Sequence, residues 1–445
     1  MERLLHYVWQ HKMLPLTPLQ TTDGQRVEVV DPGRLNHDAG PDFFNAKILI
    51  DGTLWVGNVE LHERSSDWFA HGHQTDPAYD SIVLHVAEEV DADVVTLSGK
   101  HPPQLQLRVP KEIEDGYEEL LSSAERHPCS TVVAQLPAIT VRSWLAALQT
   151  ERLEQKTETI ARRAQACGGS WEDAAFVTLA RNFGFGINGD AFEQWALHMP
   201  MASVAHHRDD EFQVETLFMG QAGLLREESM QERQREAAQK DDYFLGMQRE
   251  YRYLSHKFQL EPVQPQQWRF LRLRPQNFPH VRLSQLARLY VSRRFSLSLL
   301  ADCQSVDDIR RLLQTSATDY WRTHYTFGME SRPSDKRLTA ASIDLLTINT
   351  ALPLLFAYGR HKRDERLVER ATDLLDSLRP ENNTVVRSWQ DCGLRPATAS
   401  DSQALLQLTR QYCERRDCLR CRFGYEYMKA KRLSSPIKNV YLQKI

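Results

Sequence analysis

The chain of 445 residues contains no run of 18 consecutive apolar residues, and its opening Met-Glu-Arg-Leu-Leu-His lacks the charged-then-apolar layout of a secretory leader. A bilayer-spanning helix needs about 20 apolar residues, so no membrane partner is expected and the chain is placed in the cytoplasm. Cysteine is scarce: there are seven, four of them in the last 54 residues, which excludes a disulfide scaffold. No repeat of fixed period is present, which excludes a solenoid. The most glycine-dense run, Phe183-Gly184-Phe185-Gly186-Ile187-Asn188-Gly189, follows a helical pattern and lacks both G-x-G-x-x-G spacing and a Lys-Ser/Thr pair. It is not a phosphate-binding loop.

A composition of 41% hydrophobic and 26% charged residues is that of a globular protein, and the length exceeds what one core supports, so two or three domains are expected. Net charge is −4, unevenly spread: residues 1–137 hold 22 acidic and 10 basic residues, and the rest hold 37 and 45. An acidic first part suits cation binding, whereas a polyanion would be gripped mainly by the second.

The most informative stretch runs from Gly40 to His85. Ala46–Ile50 and Thr53–His62 are β-rich and joined by Asp51-Gly52, a strong hairpin signal. Counted back from a two-residue turn, Asp42 falls opposite Leu61, where facing side chains lie about 4.5–5.5 Å apart. One bulge, or a three-residue turn, puts Asp42 on the face shared by Glu60 and His62. Two carboxylates so placed can hold a hard divalent cation, Mg²⁺ or Mn²⁺, with His62 addressing the attacking water.

The order of elements resembles the PD-(D/E)xK, or restriction-endonuclease-like, nuclease superfamily. Glu2–Met13 reads as a helix, Arg26–Asp31, Phe43–Ile50 and Leu54–His62 as three strands, Ser65–Phe69 as a helix or loop and Ser81–Glu88 as a fourth strand. Asp42 enters the second strand and Glu60 lies on the third, with His62 where that superfamily has lysine. The resemblance implies an αβββαβ domain and a metal-dependent nuclease or phosphodiesterase with Asp42, Glu60 and His62 as catalytic residues. His85, on the neighbouring strand, and Glu2, in the first helix, are additional candidates. The whole chain is also similar to a bacterial family catalogued as a domain of unknown function. The phrases that carry this likeness are Gly40-Pro41-Asp42-Phe43, Val59-Glu60-Leu61-His62, Gly220-Gln221-Ala222-Gly223-Leu224-Leu225, Arg274-Pro275-Gln276-Asn277-Phe278-Pro279 and Cys418-Leu419-Arg420-Cys421.

Two rival readings stand beside the nuclease. One is a catalytically inactive nucleic-acid-binding or scaffold protein that keeps the fold. The other is a different metallohydrolase centred on His71, His73, Asp76 and His85, with Zn²⁺ rather than Mg²⁺. Nine of the 16 histidines lie before residue 138.

Beyond Pro137 strand signals almost vanish and helical spacing takes over. Trp268–Phe295 carries seven arginines, no acid and five aromatic residues. Arginine forks bind phosphate and rings stack on bases, so Arg269, Arg272, Arg274, Asn277 and Arg282 are candidate contacts to DNA or RNA. At the carboxyl end, Cys392 and Cys413-x4-Cys418-x2-Cys421 suggest a Zn²⁺ or iron–sulfur site, followed by a basic tail (Lys429, Lys431, Arg432, Lys438, Lys444). The expected fold class is therefore α+β: a restriction-endonuclease-like domain over 1–125, a linker over 126–137, a helical domain over 138–390 and a cysteine-rich segment over 391–445.

Overall fold

A computed structural model describes residues 2–15, 17–36 and 38–434; Lys438 and Lys444 of the basic tail lie outside the described residues. The fold is α+β, in two units. Met1–Val141, Ser388–Leu394 and Leu408–Ile445 form the first; Arg142–Arg387 and Arg395–Gln407 form the second. The segment expected to stand alone over 391–445 is thus divided, and its cysteine-bearing part belongs with the N-terminal domain. Contacts explain this: Tyr427 donates to Glu119 Oε2 at 2.6 Å, Arg416 donates to the Ser123 carbonyl at 2.6 Å, and Phe423 and Met428 are fully buried.

The first unit begins with helix α1 (Glu2–Gln10), whose Leu4, Leu5, Val8 and Trp9 fall on one face and are buried. Seven strands follow: β1 (Leu19–Gln20), β2 (Arg26–Asp31), β3 (Arg34–Leu35), β4 (Phe43–Ile50), β5 (Thr53–Arg64), β6 (Ile82–Glu89) and β7 (Gln104–Gln106). They pair in the order β1-β2-β4-β5-β6-β7, with β3 on β4. Pairing is antiparallel as far as β5 and parallel from β5 to β6 to β7. Thr21 bridges to Leu105, and the Thr22 amide donates to the Gln104 carbonyl at 2.9 Å. The two ends of the sheet therefore meet, and the mixed sheet is nearly closed.

The expected turn at Asp51-Gly52 is present, with Ile50 opposite Thr53. The parallel step from β5 to β6 needs a crossover, which helix α2 (Asp67–Ala70) and two 3₁₀ turns provide. Of two apolar segments after β6, whose composition reads as further edge strands, only one forms a strand. Val94–Leu97 is not a strand, because the Val95 carbonyl accepts from Trp68 Nε1 at 3.0 Å and the Thr96 amide closes a turn onto Lys100. Of Leu105–Val109, β7 covers Leu105 and Gln106 alone. Helix α3 (Lys111–Ser122) ends this part.

The second unit is mostly helical. Glu215 lies at its centre, fully buried, and accepts from Tyr243 at 2.6 Å, Thr318 at 2.9 Å and Trp321 at 2.6 Å. Burial pushes its carboxyl pKa up, against the effect of these donors. Gly220 allows helix Asp242–Phe258 to approach: a Cβ there would lie 2.0 Å from the Tyr251 ring. The apolar helix around Pro353 runs as Ala340–Leu346, a π turn at Thr347–Ala351 and Leu352–Lys362. The π turn accommodates the proline, which has no amide to donate. Ala340–Lys362 is long and apolar enough to cross a membrane by length and composition, and 67% of its most apolar window is buried inside the protein.

His280 is 2% exposed and ringed by Phe270, Trp321 and Phe327, and its Nδ1 has no hydrogen-bond partner. Burial lowers its pKa to about 3. The unfolded chain takes up this proton near pH 6.5 and the folded one does not until about pH 3, so stability is full above pH 6.5 and falls as pH drops through that window. Denaturant unfolding of the wild type should show a loss of up to about 1.4 kcal/mol per pH unit that His280→Phe lacks. Equal slopes for the two proteins would refute this assignment.

Candidate metal centre

The site is built on a one-residue slip between β4 and β5. Ala46 pairs with Gly57, but Phe43 pairs with Val59, so a bulge lies between Phe43 and Ala46. Asn45 carries the strain at φ 56°, a left-handed conformation that asparagine tolerates, and its amide donates to Asn58 Oδ1 at 3.2 Å. The slip turns Asp42 toward Glu60. The Asp42 amide donates to Glu60 Oε2 at 3.0 Å, and the Leu61 amide donates to Asp42 Oδ2 at 2.9 Å.

The parallel register places Glu60 beside His85 and His85 beside Gln104. Four histidines then converge. His62 Nδ1 lies 2.9 Å from His85 Nε2, and His62 Nε2 lies 3.2 Å from His71 Nδ1. Glu60 Oε1 is 3.1 Å from His73 Nε2 and 3.7 Å from His62 Nε2. His73 Nε2 is buried and makes no well-aligned hydrogen bond. Among the described residues, His62, His71 and His73 are the group of three whose ligand atoms all lie within 4.8 Å of one another. Tyr79 stacks on His73 at 3.9 Å, and fully buried Trp68 presents its ring to His62, His73 and His85.

A chain of hydrogen bonds sets the tautomers. Gln104 Nε2 donates to the Ala92 carbonyl at 3.1 Å, so its Oε1 faces His85 Nδ1 at 3.2 Å and accepts from it. His85 Nε2 is then an acceptor, and His62 Nδ1–H donates to it. The lone pair of His62 Nε2 is left pointing at His71, His73 and Glu60. This is the arrangement by which outer partners prepare a metal-ligating imidazole.

Electrostatics agree with neutral imidazoles. Burial, reinforced by the neighbouring histidines, lowers the His62 pKa to about 2. Burial likewise lowers His85 to about 4, against the pull of Gln104. Glu60 is raised, chiefly by burial, with the Asp42 charge adding to it and the His73 contact opposing it.

The geometry thus brings together Asp42, Glu60, His62 and His85 from the expected set, together with His71 and His73 from the rival one. Asp76 is elsewhere: it caps the turn Pro77–Ser81 by accepting from the Ala78 amide at 2.8 Å. Glu2 stays at the rim, 47% exposed and 3.9 Å from His6. Sequence reasoning missed His6, one helical turn further on, whose Nε2 lies 3.3 Å from Asp42 Oδ2. Burial works to lower the His6 pKa, but Asp42, helped by Glu2 and Glu60, outweighs it and the net shift is upward. The signal for His6 was its spacing from Glu2 on a helix that must pack on β5. Gln104 was missed too, and nothing in its local sequence marks it.

A donor set of three imidazoles and a carboxylate differs from the two-carboxylate Mg²⁺ site expected from sequence. It suits Zn²⁺, Mn²⁺ or another transition ion.

Residues 2–384 match the family described as protein of unknown function, DUF2851. The chain belongs to this family. No curated protein and no solved structure matches it. The family match spans the histidine centre and the arginine-rich stretch, and stops before Cys392.

In the arginine-rich stretch, Arg269, Arg272 and Arg274 are exposed. Arg282 is not: it is 5% exposed, donates to Asn277 at 2.6 Å and Gln285 at 2.8 Å, and lies over the Phe185 ring. Asn277 is spent on the same contact, so these two residues brace the fold. Arg288 is likewise paired with Glu211 at 2.7 Å. At the carboxyl end, Cys392 donates its thiol to the Ser388 carbonyl at 3.2 Å, four residues back on its own helix.

The hydrogen-bond chain makes Gln104 a handle on metal binding from outside the ligand set. Gln104→Leu should weaken Zn²⁺ or Mn²⁺ binding by about 10–100-fold in a chelator competition titration. Unchanged affinity would show that the chain from Gln104 through His85 does not prepare His62.

Proposed function

We propose that the first unit is a divalent-metal-dependent phosphodiesterase, a nuclease or a descendant of one, with its ion on Glu60, His62, His71 and His73. The observation that carries this reading is the convergence of three imidazole nitrogens within 4.8 Å of one another beside the buried Glu60 carboxylate. The succession of a helix, the antiparallel strands β2, β4 and β5 with two short additions (β1 and β3), a crossover and the parallel strand β6, with Asp42 and Glu60 side by side, supports kinship with the PD-(D/E)xK nucleases. A bound ion supplies charge stabilisation at the phosphate and a lowered water pKa.

The chain's own residues do the rest. His6 and Asp42 form a mostly buried pair, 21% and 22% exposed, beside Glu60. Asp42 keeps His6 a better proton acceptor than a free imidazole, so the pair is suited to hold a proton from the attacking water. His85 and Gln104 hold His62, while Trp68 and Tyr79 keep solvent from the inner face. His62 therefore serves as a ligand here, not as the counterpart of the usual lysine. DNA or RNA is the proposed substrate, and the exposed Arg269, Arg272 and Arg274 are its proposed contacts in the second unit.

One feature favours the inactive alternative: His62, at 1% exposure and held neutral, cannot supply the positive charge of the lysine it replaces. A cleavage panel decides between the two. Labelled single- and double-stranded DNA and RNA are incubated with Mn²⁺, Zn²⁺ or Mg²⁺ and the wild type, Glu60→Gln, His73→Ala or Asp42→Asn. The expected outcome is cleavage with Mn²⁺ or Zn²⁺ that drops about 10²–10⁴-fold in each variant. Binding without cleavage, indifferent to all three substitutions, would overturn the catalytic reading in favour of a scaffold.

A further inference from the structure

Four cysteines, three from one short stretch near the carboxyl end and one far from it in sequence, line one small cavity in the first unit: Cys413, Cys418, Cys421 and Cys129. Cys129 and Cys421 are buried, at 7% and 6% exposure. Cys418 and Cys421 lie at either end of a 3₁₀ turn, with the Cys421 amide donating to the Cys418 carbonyl at 3.2 Å. Gly424 keeps the next helix tight on that turn, since a Cβ there would lie 2.2 Å from the Cys418 carbonyl oxygen. Cys129 arrives from the linker after α3. Cys392, the fourth ligand expected from sequence, does not line the cavity.

We infer that Cys129, Cys413, Cys418 and Cys421 form a tetrathiolate site for one zinc-class divalent cation, a site separate from the histidine centre. The donor set argues for this: four sulfur ligands, two of them in a Cys-x2-Cys turn, are a structural zinc set. Size narrows it further. The cavity has about 20 Å³ of space, room for about one water-sized body and so for a single ion. The four thiols ring this space more loosely than the three imidazoles ring theirs; zinc–sulfur bonds of about 2.3 Å draw them in. Each ligating thiol gives up its proton to solvent as the ion binds, leaving a site of net charge −2 for four thiolates and one dication. Arg416, which also lines the cavity, offsets part of that charge. The function of such a site is to staple the linker to the carboxyl-terminal segment.

Cobalt distinguishes this site from the imidazole centre, because thiolate-to-Co²⁺ charge transfer absorbs in the near ultraviolet and imidazole ligands do not give that band. Full-length protein is stripped by chelator under reducing conditions and titrated with Co²⁺. The wild type should develop the band, Cys129→Ser and Cys413→Ser should each lower it by about a quarter or more, one ligand in four, and Cys392→Ser should leave it unchanged. No band in the wild type, or a band that depends on Cys392 and not on Cys129, would overturn the assignment. Should Cys129→Ser fail to fold, alkylation of the wild type decides. Zn²⁺ must protect Cys129, Cys413, Cys418 and Cys421 while Cys392 stays reactive, and protection of Cys392 in place of Cys129 counts against the site.

Discussion

A single-residue slip in one hairpin governs the chemistry of the first unit. Without the bulge between Phe43 and Ala46, alternation would set Asp42 against Leu61, and the two carboxylates would not exchange hydrogen bonds with each other's strands. The cost is one asparagine in a left-handed conformation, a strain of order 1 kcal/mol that the Asn58 side chain helps to hold. Local strain of this kind persists because the surrounding sheet over-determines it. The parallel pairing of β5 with β6 is a second, separate register, and it sets the reach of His85 toward His62.

The two glutamates that are buried among the described residues show how to tell a structural acid from one available for chemistry. Glu215 is surrounded by hydroxyl and indole donors that satisfy both of its oxygens, and it has nothing left to offer. Glu60 is as enclosed, yet its Oε1 faces imidazole nitrogens whose alignment is incomplete, with His73 Nε2 left unpartnered. Buried polar groups are nearly always paired in folded proteins. An exception that falls where four histidines meet is therefore informative.

Much of this was legible in the chain. Asp51-Gly52 announced the hairpin, and the strands expected at Arg26–Asp31, Phe43–Ile50 and Ser81–Glu88 are present as β2, β4 and β6. A bulge that turns Asp42 toward Glu60 was also foreseeable, because hairpin registers allow few alternatives. What could not be read was the partner of each polar group across long sequence distances. Gln104 meets His85 through a parallel pairing, Cys129 meets Cys421 through tertiary packing, and His6 meets Asp42 through the angle at which a helix lies on a sheet. Local periodicity fixes faces, whereas such meetings depend on topology. The arginine-rich stretch misled for a related reason: charge pattern alone does not reveal that Arg282 and Arg288 already have partners inside the fold.

The first unit takes its pieces from both ends of the polypeptide, with Arg142–Arg387 belonging to the other. On a ribosome, synthesis of that intervening stretch of about 250 residues at about 5–20 residues per second lasts on the order of 10–50 s. Throughout that interval the face of α3 that later receives Tyr427 and Met428 has no cover, although all seven strands of the sheet have already been made. The birth order of this protein is therefore inside-out: the second unit receives nearly all of its sequence before the first receives its last helix.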